Sequence, residues 1–104
     1  MKLNEFLEIS ILLDYYRNLL SDKQREYLVK HFEEDLSLTE IANSNDISRQ
    51  AVYDNIRRGI NQLKEYEEKL GFYAKDKKMK SELTELRKDF TVERLDKIIN
   101  NYFN

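Results

Sequence analysis

The stretch SLTEIANSNDISRQAVYDNIRRGINQLKEYEEKLG, residues 37–71, constrains the fold more tightly than any other part of the chain. Ser37 is followed three residues later by Glu40, the spacing of a capping box. The serine hydroxyl accepts from the third backbone N–H of a helix, and the carboxylate reaches back to the N–H of the capping residue itself. A short helix beginning near Leu38 is therefore predicted, with Ile41 and Ala42 turned inward; the small Ala42 suits a place where two helix backbones cross closely. Asn45 and Asp46 tolerate the left-handed conformation that a sharp helix stop requires, although glycine is commoner there. Ser48 then caps a second helix whose apolar stripe is Val52, Ile56, Ile60, Leu63 and Leu70. Ile47 is expected to plug the turn into the core, and Gly71 to close the second helix. Two helices across a tight turn, the second much the longer, make a helix-turn-helix.

Little in the rest of the chain interrupts helices. Its 104 residues hold no proline and two glycines, and 37% are charged, with apolar side chains at helical spacing. That composition predicts an all-α protein. The length suits one domain, or one domain with a helical appendage, and leaves no room for a two-domain enzyme. With no cysteine, a disulfide framework and thiolate metal sites are excluded. No basic segment precedes an apolar run of signal-peptide type, and no stretch approaches the roughly 20 apolar residues of a membrane span. The expectation is a cytoplasmic protein without membrane insertion.

Periodicity places the remaining helices. Leu3, Phe6, Leu7, Ile11, Leu12, Tyr15, Tyr16, Leu19 and Leu20 form a broad apolar face on a first helix near 3–20. Ser21 and Gln24 make a second capping box, with Asp22 at the positive helix end, opening a helix that buries Leu28, Val29 and Phe32 and ends near Glu34. Beyond Gly71 the lysine-rich KDKKMK, residues 75–80, reads as a solvated linker into Met79, Leu83, Leu86 and Phe90. Thr91 caps a last helix carrying Val92, Leu95, Ile98, Ile99, Tyr102 and Phe103, a stripe too apolar to leave in water. The expected division is a helix-turn-helix bundle over 1–71 and a C-terminal helical extension over 72–104.

Charge is spread evenly, with no strongly basic segment. Lys/Arg against Asp/Glu number five to eight over residues 1–36, five to six over 37–70 and eight to six over 71–104, for a net charge of −2. Duplex affinity rests largely on neutralising phosphates, so binding to DNA or RNA is expected to be weak.

SDKQREYL (21–28), SLTEIA (37–42), ISRQAVYDNIRR (47–58) and YEEKLGF (66–72) resemble the YlxM family, small cytoplasmic bacterial helix-turn-helix proteins typically encoded beside the genes for the signal recognition particle GTPase and its receptor. More loosely, the same segments resemble region 4 of bacterial sigma factors. The resemblance implies a helix-turn-helix bundle, sigma region 4-like or winged-helix-like, and a regulatory role connected with protein targeting, with signal recognition particle components as partners. It implies no reaction.

Turning the apolar stripe of helix 49–70 inward, at about 100° per residue, places Gln50, Asp54, Arg57, Arg58 and Asn61 on the opposite face, flanked by Arg49 and Tyr53. Gln50 has the chemistry to pair bidentately with adenine, and Arg57 or Arg58 with guanine; Ser48 and the backbone N–H groups beside it can meet a phosphate. Asp54 repels phosphate but can accept from a cytosine amino group. The bland alternative is a solvated face on which Asp54 and Arg58, four apart, form an ordinary ion pair worth a few tenths of a kcal/mol. Lys75–Lys80 is either a backbone grip or the linker described above. Glu33, Glu34 and Asp35 read as a solvated acidic turn, their other use being an acidic contact for a basic partner. The lone His31 reads as a surface or half-buried helix residue, and Tyr15 and Tyr16 as core rather than as base-stacking platforms.

No glycine-rich phosphate loop, G-x-S-x-G elbow or cysteine nucleophile is present, so neither enzyme nor cofactor is expected. Two readings stay open: a DNA-binding regulator, and a protein- or RNA-binding adaptor modulating the signal recognition particle GTPase. The C-terminal helices leave self-association as a homodimer open as well.

Overall fold

The computed structural model describes residues 1–103, which form six α-helices: α1 (Leu3–Tyr16), α2 (Asp22–Phe32), α3 (Leu38–Asn45), α4 (Arg49–Leu70), α5 (Phe72–Lys88) and α6 (Val92–Phe103). A 3-10 turn, Arg17–Leu19, joins α1 to α2. The described residues contain no strand, so nothing supplies the β-wing of a winged helix. They fall into two compact units, Met1–Leu70 and Gly71–Asn104.

In the first unit α4 is the axis, packing against α1, α2 and α3. Its buried residues, Val52, Ile56, Gly59 and Leu63, lie at successive spacings of four, three and four, one stripe of a 3.6-residue helix. Ile9, Leu12, Leu13 and Tyr16 of α1, Leu20 just before α2, Tyr27, Leu28 and Phe32 of α2, and Ile41 and Ala42 of α3 complete the core. Each large apolar side chain taken fully out of water stabilises the fold by about 1.5–3 kcal/mol before entropy is counted. Both capping boxes form: the Ser21 hydroxyl accepts from Gln24 N at 3.2 Å and the Ser37 hydroxyl from Glu40 N at 3.1 Å, with each acceptor side chain returning to the serine N–H.

Several local expectations are corrected. The first helix stops at Tyr16 instead of running to 20, and the 3-10 turn rotates the remaining residues, leaving Leu19 in solvent and Leu20 in the core. The inward face of α1 is accordingly Ile9, Leu12, Leu13 and Tyr16, while Leu3, Leu7 and Tyr15 are exposed. Nine apolar residues wrap too far round one helix for a single partner surface to cover them. Ile47 does not plug the turn; it is 37% exposed, because the left-handed Asp46 (φ 55°, ψ 44°) sends its N–H back to Ala42 O at 3.1 Å and its side chain away from the core. Residues 75–80 are not a linker but the second and third turns of α5.

The acidic turn after α2, at Glu33–Asp35, is exposed, as its composition suggests, but its first carboxylate is paired. Glu33 receives both guanidinium nitrogens of Arg17, which also reaches Asp14 at 2.9 Å. The Glu33 hydrogen bond, against partial burial, holds Arg17 above its ordinary value. Two tyrosines fasten α4 to the end of α1 and to the 3-10 turn after it: Tyr16 donates to Glu67, and Tyr66 donates to Leu19 O at 2.9 Å.

In the second unit α5 and α6 pack on each other. The Thr91 hydroxyl caps α6 by accepting from Arg94 N at 3.1 Å. Of the last helix's six apolar residues, Leu95, Ile98 and Tyr102 are half-buried, whereas Val92, Ile99 and Phe103 are 59%, 44% and 74% exposed.

Candidate nucleic-acid interface

Ser48 starts α4 by accepting from Ala51 N at 3.0 Å, and its own hydroxyl proton remains available to an external acceptor. From that cap the helix runs unbroken through Gly59 to Leu70. Gly59 has a structural reason: a Cβ there would lie 2.7 Å from Leu28 Cδ1 and 3.3 Å from Leu28 Cγ, so α2 crosses α4 directly over the missing side chain. Close crossing at Gly59 presses one side of α4 into the bundle and leaves the other outermost.

That outer side carries Gln50, Arg57, Arg58 and Asn61, all exposed, with Asp54 half-buried among them and Tyr53 exposed on the flank. Two hydrogen bonds order it. Gln50 Nε2 donates to Asp54 Oδ1 at 3.0 Å, and since a carboxylate only accepts, this fixes which way the Gln50 amide points. That bond uses one amide proton and leaves the other N–H and the carbonyl oxygen, the pair a bidentate contact with adenine needs. Arg57 NH1 donates to the Tyr53 hydroxyl at 3.1 Å, which aligns the guanidinium along the helix and leaves its other donors uncommitted.

The ion pair that the alternative reading draws between Asp54 and Arg58 does not form: the carboxylate is turned one helical turn toward the N-terminus, to Gln50. Among the described residues no carboxylate pairs with Arg49, Arg57, Arg58 or Lys64, whereas Arg17, Lys23, Arg25, Lys30 and Lys69 in the same unit all have acidic partners. Lys64 was not among the residues singled out from the sequence. Its signal was the seven-residue spacing from Arg57, which puts both on one face.

Tyr53, Arg57, Asn61 and Lys64 also line an open cleft of about 370 Å³, closed on its far side by His31 and Phe32 of α2 and by Glu5 of α1. His31 is half-buried there, with Nδ1 2.8 Å from Leu36 O and its ring edge-on to Phe32. Tyr16 is core, while Tyr15 is exposed. Among the described residues no three metal-ligating side chains converge, and no helix is long and apolar enough to cross a membrane.

The family model described as a helix-turn-helix protein, YlxM / p13 like, matches residues 3–102 of this chain. A UPF0122 protein of Fusobacterium nucleatum is 57% identical over 101 residues, covering 97% of this chain and 98% of the relative. UPF0122 proteins of Shouchella clausii and Malacoplasma penetrans are 50% identical over 86 residues (83% of this chain, 79% of the relative) and 46% identical over 72 residues (69% and 67%).

Proposed function

We propose that this chain, which belongs to the UPF0122 family of YlxM / p13-like helix-turn-helix proteins, is a non-enzymatic regulatory protein that contacts nucleic acid through the outer face of α4. Ser48, Arg49, Gln50, Tyr53, Asp54, Arg57, Arg58 and Asn61 form the contact. The observation that carries the reading is the combination on one helix face of arginines without acidic partners and a glutamine amide held in a fixed orientation. Gln50 and Arg57 would read base edges in a groove, with Arg49, Arg58 and the Ser48 hydroxyl on phosphates.

Net charge of −2 and Asp54 within the face favour a second reading, in which the same surface serves a protein- or RNA-binding adaptor of the signal recognition particle GTPase. The likeness of residues 21–72 to the YlxM pattern is what connects either reading to that pathway. Fluorescence anisotropy at low and moderate salt, with random duplex DNA and with signal recognition particle RNA, separates them. Two to four phosphate contacts on this face predict that it contributes about −2 to −4 to the log–log salt slope on the duplex, with weaker binding by Arg57→Ala/Arg58→Ala. Duplex binding that is undiminished in the double variant excludes this face; RNA binding without duplex binding supports the adaptor.

A further inference from the structure

We infer that α5 carries a second nucleic-acid contact, a phosphate-backbone face formed by Tyr73, Lys77, Lys80, Thr84 and Arg87. It lies outside the helix-turn-helix and does not depend on the reading of α4 given above. The five residues follow one another at spacings of four, three, four and three, which at about 100° per residue confines them to an arc of about 80° on one side of the helix. From Lys77 to Arg87 the rise is about 15 Å at 1.5 Å per residue. That length spans four to five base steps of a duplex strand at about 3.4 Å each, enough for three separated phosphate contacts.

This stripe is directed away from the helix's own partner. The α6 side of α5 is marked by Glu82, Glu85 and Leu86, which share a cleft with Arg94, Lys97 and Ile98, and Glu82 lies about half a turn round the helix from the centre of the stripe. Lys77, Lys80 and Arg87 are exposed, and among the described residues no carboxylate pairs with any of them. Lys77 instead lies over the Tyr73 ring, 5.0 Å from its centroid, which steadies the ammonium without neutralising it. Lys80, Thr84 and Arg87 border an open hollow of about 450 Å³ in which Asp76 is the acidic member.

Charge complementarity selects the occupant. Three cations in single file match a linear polyanion, and phosphodiester oxygens accept from all three; the Thr84 hydroxyl between them donates to Lys80 O at 2.7 Å and only fills the stripe. A membrane surface fits less well, since an interfacial helix carries cations on both shoulders of its apolar side, and here one shoulder is Glu82 beside α6. The contact reads charge and not bases, so it adds affinity equally to every sequence.

The test compares wild type, Lys77→Ala/Lys80→Ala/Arg87→Ala and Arg57→Ala/Arg58→Ala for binding to two unrelated duplexes and one RNA hairpin across a salt series. Circular dichroism verifies helicity, which alanine favours. The α5 variant is expected to have a duplex slope shallower by about 2–3, at roughly 0.9 per lost phosphate contact, with the ratio of affinities for the two duplexes unchanged. DNA and RNA arms show which phosphodiester is held more tightly; loss on either supports the inference. An unchanged slope on every nucleic acid overturns it, as does weakened binding to phosphatidylserine vesicles with nucleic-acid binding intact. If only the α5 variant is affected, this inference stands and the α4 reading falls; if only the α4 variant is affected, the reverse holds; wild type binding neither nucleic acid at low salt removes both.

Discussion

At Gly59 a close crossing of two helices is made by a residue with no side chain. A β-carbon would meet Leu28 at 2.7 Å, and Leu28 is itself wholly buried, so it has nowhere to yield. Gly59→Ala gains about 1 kcal/mol of helix propensity but overpacks at a cost of about 1–3 kcal/mol. The expected result is a net loss of up to about 2 kcal/mol in urea denaturation, with the cost of Gly59→Ala smaller in a Leu28→Ala background. Additive losses would show that Leu28 is not what constrains the position. Asp46 illustrates the opposite use of backbone. It holds a left-handed conformation at φ 55° that glycine takes without strain, and thereby turns α3 into α4 and sends Ile47 out of the core.

At the scale of the element, α3 is eight residues long and too short to persist alone, so its cap matters. The Ser37 backbone N–H, and then the Ser37 hydroxyl, hold the Glu40 carboxyl below its ordinary range. A carboxylate depressed in the folded state contributes stability that is present above its unfolded pKa and is lost as pH falls through the folded value. Wild type should therefore lose thermal stability on going from about pH 5 to about pH 3 by more than Glu40→Gln does, because glutamine keeps an acceptor for the Ser37 N–H but has no proton to gain. Parallel melting-temperature profiles for the two proteins would assign the acid sensitivity to other carboxylates. On α4 the corresponding detail is Asp54, which turns to Gln50 and so orders the amide while leaving Arg58 without an acidic partner among the described residues.

For the whole molecule the unsettled surface is the outer shoulder of α6. Val92, Ile99 and Phe103 lie within about 40° of one another on the helix and are exposed, next to Leu95, Ile98 and Tyr102, which are half-buried. Desolvation together with the nearby Glu82 carboxylate holds the Tyr102 hydroxyl above its ordinary value. Self-association through the outer shoulder expects wild type to sediment as a dimer at tens of micromolar and Ile99→Lys/Phe103→Lys as a monomer, with unchanged helicity. A monomeric wild type at that concentration removes the homodimer.

What the sequence determined by itself was local and periodic. The capping boxes at Ser21 and Ser37, the Ser48 and Thr91 caps, the helix stop at Asp46 and the stripe of Val52, Ile56 and Leu63 depend on residues within a few positions of one another, so spacing reveals them. The outward residues of α4 were legible for the same reason, since they lie opposite that stripe. Tertiary structure alone decided the matters that depend on residues far apart in the chain. It ended α1 at Tyr16, chose Ile9 and Leu13 over Leu3 and Leu7, seated Gly59 on Leu28, gave Glu33 to Arg17, and joined Tyr16 and Tyr66 to the opposite helices. Periodicity tells which residues share a face, but the width of that face actually buried, and the partner each charge finds, follow from the other helices that pack against it.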